Sequence, residues 1–172
     1  MNVQQAIREQ LEFWRGTLDQ MVSECSAEVL HKTIPGSTTN TIAATYVHAI
    51  ISEDVIVHAM LQGKASLYQS GGWEAKTGVA FPGVPPAMSP EWAGALKLNL
   101  APFQEYAKVV YAATDAYLAG LPDAELERMT QGPAGETTVG WMVAAILGTH
   151  FPSHVGEIAA LKGVHGLKGL PF

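Results

Sequence analysis

Cysteine occurs once in the 172 residues, as Cys25, so no internal disulfide can form. A lone cysteine in a helical stretch reads as a small buried hydrophobe. Charge is also scarce: 15% of residues are charged, against roughly a quarter in ordinary soluble domains. Lys and Arg number 10 against 16 Asp and Glu, and they form no cluster. A nucleic-acid backbone is therefore not an expected partner. No uninterrupted apolar run reaches the roughly 18 residues of a membrane span, so no membrane partner is expected. The start, MNVQQAIREQLEFWRG, lacks the basic opening and apolar stretch of a signal peptide, which makes the cytoplasm the default compartment. Strand-length alternation, internal repeats and low-complexity tracts are absent too.

What remains is helix. Hydrophobic residues make up 48% of the chain, and residues 1–172 are expected to form one domain. Ile7, Leu11, Trp14, Leu18, Met21, Val22 and Cys25 step by three and four, predicting a first helix from about Val3 to Val29. A second follows the capping residues Thr39 and Asn40 and ends at Gly63. Residues 63–90 hold GGW, PGVPP and MSP. They form a long crossover in which Trp73, Phe81 and Val84 suggest packing over something, whether a site or merely the core. A third helix starts at Ser89-Pro90 and ends near Gly120, with Pro102 expected to kink or split it. LPDAELERMTQ reads as a short helix capped by Asp123, and GPAGETT reads as a turn. A last helix begins at Thr137 or Thr138 and ends near Gly163. The pattern predicts an all-α four-helix bundle with a long crossover between helices two and three.

His150 and His154 sit on the apolar stripe of the last helix, along with Met142, Val143, Ile146 and Leu147. Residues at i and i+4 share a helix face, so two imidazoles can converge on one metal ion. Hydrogen bonding inside a core is the other explanation. A third ligand would come from the second helix. His48 and His58 are turned roughly 80° and set about 15 Å apart there, so they cannot serve one ion. His48, flanked by apolar residues, is the better candidate. His58 reads as partly exposed near the helix end, and His31 and His165 as surface residues. Glu157 follows His154 by three positions and could orient a ligand or act as a base. Glu53 is a second carboxylate candidate. Pro152 lies between the two histidines, where a mid-helix proline costs about 3 kcal/mol and could re-aim them.

YVHAIISED in the second helix and TVGWMVAAILGTHFPSHVGEIAALKG in the last resemble the DinB/YfiT-like superfamily of metal-dependent enzymes. That resemblance covers nearly the whole chain. It implies that His48, His150 and His154 ligate one divalent ion per chain, zinc or nickel. It also implies a thiol S-transferase using a low-molecular-weight thiol cosubstrate on a small-molecule electrophile, with metal-dependent hydrolysis as the alternative. A non-catalytic stress-response or binding bundle, with a structural metal or none, is the reading outside enzymology. Di-iron carboxylate bundles need Glu-x-x-His pairs, and neither Glu53 nor Glu157 has a histidine at i+3. The low charge content and the aromatic first helix point to a homodimer, as the resemblance does.

Overall fold

The computed structural model describes residues 2–172. Its first helix, α1 (Val3–Ser23), starts because the Asn2 side chain accepts the Gln5 N–H. The face bearing Leu11, Leu18, Met21 and Val22 is fully buried. The helix stops earlier than the periodicity suggests. Ser26 captures the Val29 N–H and opens a separate short helix, α2 (Ala27–Leu30); a serine oxygen competes well for orphan donors.

Thr41, rather than Thr39 or Asn40, caps α3 (Ile42–Asp54) through the Ala44 N–H. The rod continues as a π-helical stretch, Val55–Leu61, and Gly63 turns out of it at φ 64°. By length and composition Ile42–Leu61 could cross a membrane, with a mean hydropathy of 1.2, but 89% of its apolar window is buried inside the protein. It is the central core helix.

The crossover carries α4 (Leu67–Ser70), α5 (Trp73–Thr77) and α6 (Pro90–Ala95). The buried carboxylate of Asp54 anchors it, accepting the Leu67 N–H at 2.9 Å and the Tyr68 N–H at 2.8 Å. Ser89 and Pro90 open α6 as expected. The chain then breaks and restarts as α7 (Leu100–Gly120). Pro102 is third in α7, where the backbone N–H would have no intrahelical partner anyway, so the expected third helix is split just before it and not kinked.

Residues Asp123–Glu127 form a 3₁₀ turn, not a capped helix. The Asp123 carboxylate accepts from Gln4 Nε2 at 2.8 Å. The expected turn at GPAGETT is the tip of an antiparallel ribbon, β1 (Met129–Gly132) and β2 (Gly135–Thr138), pairing Met129 with Thr138 and Gly132 with Gly135. These four-residue strands are polar, so no alternation announced them. The fold is nonetheless all-α, with 65% helix and 5% strand.

Thr138 caps the last rod, which runs through α8 (Val139–Trp141), a second π-helical stretch (Met142–Leu147) and α9 (Gly148–Val164). α1 packs on α9, α7 and α3, and α3 packs on α9 and α7. The long helices thus enclose one apolar core.

Candidate metal centre

The packing of α3 against α9 brings three imidazoles together. Ring centroids are 5.3 Å apart for His48 and His150, 5.1 Å for His48 and His154, and 4.5 Å for His150 and His154. One nitrogen from each lies within 4.8 Å of the others. Among the described residues this is the group of three such donors close enough to hold an ion.

The hydrogen bonding leaves lone pairs unused. His154 Nδ1 lies 3.0 Å from Glu157 Oε2, so its N–H donates to that carboxylate. Nε2 of His154 is then an acceptor, 3.2 Å from Nε2 of His150, the ring nitrogen placed to donate to it in the absence of an ion. His150 Nδ1 is buried with no partner. A buried polar atom without a partner costs on the order of 1–3 kcal/mol. Burial and the neighbouring His154 push the His150 pKa down to about 3. Burial also lowers His48, to about 4. Both rings are therefore neutral at physiological pH, the form that ligates metal. Neutral imidazoles with unsatisfied nitrogens fit a divalent ion.

Pro152 does not spoil this arrangement. It cannot donate to the Gly148 carbonyl one turn back, yet that carbonyl is satisfied. Gln10 of α1 donates to it from Nε2 at 3.0 Å. The approach is close: a Cβ on Gly148 would sit 2.9 Å from Ile7 Cδ1. Glycine at 148 lets α1 reach the defect, and His150 and His154 stay on one face.

The other singled-out residues divide sharply. Glu157 is beside the site. Its side chain takes the His154 N–H, and its second oxygen lies 3.4 Å from the Thr45 hydroxyl. The His154 hydrogen bond is the main reason its pKa is lowered. A carboxylate on the far nitrogen fixes a ligand's tautomer and orientation. Glu53 lies elsewhere, fully buried and held by the Arg15 guanidinium, whose Nε donates at 3.2 Å. His58 is buried instead of partly exposed, with Nδ1 2.9 Å from Asp54 one turn earlier. His31 is half-buried and accepts the Leu98 N–H at 3.0 Å. His165 is half-buried, with Nε2 enclosed and unpartnered. Cys25 is buried, and that burial raises its thiol pKa.

A cavity of about 420 Å³ opens beside His48 and His150. Sequence reasoning missed most of its walls. Ser52 was signalled by its place one turn after His48, and its Oγ lies 3.4 Å from His48 Nε2. Ile56 and Met60 follow at the same four-residue step. Of the three apolar crossover residues, Trp73 and Phe81 pack on Tyr106 and Tyr68, while Val84 does reach the cavity.

The crystal structure of a conserved protein from Enterococcus faecalis has the same fold, with a TM-score of 0.81 over 96% of this chain and 99% of that one, at 17% identity. No curated protein matches the chain. The family model of the DinB superfamily matches residues 10–158, which include all three histidines, and the chain belongs to that superfamily.

Proposed function

We propose that this protein is a divalent-metal-dependent thiol S-transferase acting on a small electrophile. The observation that carries the reading is a site of three converging imidazoles with, among the described residues, no fourth His, Cys or carboxylate in the cluster, opening onto a largely apolar cavity. Structural zinc sites close with four protein ligands, whereas catalytic ones keep a position free. A zinc or nickel ion held there supplies Lewis acidity, favouring the deprotonated form of a thiol or water.

The chain's own residues do the rest. Glu157 holds the His154 N–H and so points Nε2 of that ring at its partners. Burial keeps His48 and His150 unprotonated. The apolar cavity beside His48 and His150 is where the electrophile would sit. The transfer forms a carbon–sulfur bond and breaks the bond from carbon to its leaving group. The thiol proton departs with the leaving group, so no oxidant or reductant is consumed.

The test is turnover by zinc- or nickel-reconstituted, untagged protein with a panel of low-molecular-weight thiols and an alkyl halide or epoxide. Thiol consumption matched to thioether formation, absent in His48→Ala, is the expected result. Electrophile hydrolysis without thiol consumption would replace transfer by hydrolysis. No turnover by metal-replete protein with any thiol would overturn the reading.

A further inference from the structure

The cavity has a chemical polarity of its own. His48, Ser52, Ile56 and Met60 line it at successive four-residue steps along α3 and its π-helical extension. On an α-helix a four-residue step runs ahead of the turn by about 40°. A π-helical turn holds more residues, so the same step falls behind. Joining the two keeps the four side chains in one file. At about 1.5 Å per residue, His48 and Met60 lie roughly 18 Å apart along the axis. The polar groups, His48 and Ser52, occupy one end, and Ile56 and Met60 the other.

The facing walls reinforce this. The Val84–Pro86 segment of the crossover and Pro133 at the ribbon tip contribute apolar surface. Pro85, Pro86 and Pro133 carry no backbone N–H, so those stretches offer little to an anion. Among the described residues no Asp, Glu, Lys or Arg lines the cavity. Along the Ile56, Met60 and proline walls a carboxylate, phosphate or ammonium would lose its water without gaining a partner. The volume of about 420 Å³ is in the range of pockets for drug-sized ligands.

We propose that this cavity binds an elongated, uncharged and mainly apolar molecule, with its one polar or reactive end at His48 and His150 and its apolar tail along Ile56 and Met60. Only the word reactive rests on the transferase reading. On that reading the cavity holds the electrophile, and the charged body of a thiol stays outside it.

The test pairs two fluorescent probes with one ring skeleton: uncharged N-phenyl-1-naphthylamine and its sulfonated counterpart 8-anilino-1-naphthalenesulfonate. Titrations use apo and zinc-loaded full-length protein. The uncharged probe should bind with enhanced, blue-shifted emission in both forms, and the sulfonate at least about tenfold more weakly to the apo form. Val84→Glu, on a rim residue that is 54% exposed, should weaken the uncharged probe several-fold at an unchanged melting temperature. Ile146→Phe, which fills the half-buried wall beside His150, should weaken it too. Equal or tighter binding of the sulfonate by the apo protein, or an uncharged probe indifferent to both substitutions, overturns the proposal. Failure of the transferase reading would appear separately, as missing turnover in protein that still binds the uncharged probe.

Discussion

Two polar clusters flank α3, and they are built on opposite terms. On one side Arg15 pairs with Glu53 and Asp115 and lies over the Tyr111 ring, while Asp19 takes the hydroxyls of Tyr46 and Tyr111. The charged groups there are matched by partners. On the other side His48, His150 and His154 converge with lone pairs left over, next to a cavity. A matched cluster of buried charges does structural work, because each charge exists to answer another. An unmatched cluster costs the fold stability, and that cost is retained where something outside the chain completes it. The two carboxylates picked out in the sequence, Glu53 and Glu157, fall one in each cluster.

The largest effect expected is on the matched side. Glu53→Ala takes from Arg15, which is only 3% exposed, its fully buried partner and leaves it the more exposed Asp115 alone; it should cost about 3 kcal/mol in urea unfolding. Metal content of the folded fraction should not change. Metal loss at unchanged stability would reverse the assignment of the two clusters. Glu157→Gln probes the other side. It should lower metal affinity by about 10–100-fold in chelator competition, with little change in melting temperature. An unaltered affinity would remove Glu157 from the site.

Pro152 sharpens the comparison further. Gln10→Leu leaves the Gly148 carbonyl without its side-chain donor, for a loss of about 1–3 kcal/mol and weaker metal binding. In a Pro152→Ala background the backbone N–H returns, so Gln10→Leu should then cost much less. Additive effects in that double-mutant cycle would show that Gln10 does not answer the proline. The smallest effect concerns Asp19. Burial raises its carboxyl above the ordinary 3.8. Its stabilising contribution is thus fully present below pH 3.8 and fades as pH climbs through the raised value. Asp19→Asn keeps an acceptor for both tyrosines and should remove that acid-range component from the urea midpoints. A pH profile unchanged by the substitution contradicts it.

The three histidines were legible because four-residue spacing on an apolar stripe survives in any helix, α or mixed. Ser89-Pro90 and Gly63 were legible because their backbone preferences are local. The π-helical stretches were not: VIVHAML and MVAAIL are apolar nearly all round, so their sequences do not show how many residues fill a turn. The Gln10 hydrogen bond joins residues 138 positions apart, and nothing local to Pro152 predicts it. The burial of His58 had a local signal, an aspartate four residues before it, which the surface reading passed over.

The most direct measurement is metal content by mass spectrometry on untagged wild type, His48→Ala and His154→Ala. The account predicts about one zinc or nickel per wild-type chain, lost in both variants while the apo fold stays helical by circular dichroism. Folded wild type that takes up no stoichiometric metal even on reconstitution, or variants that keep it, would contradict the three-histidine site.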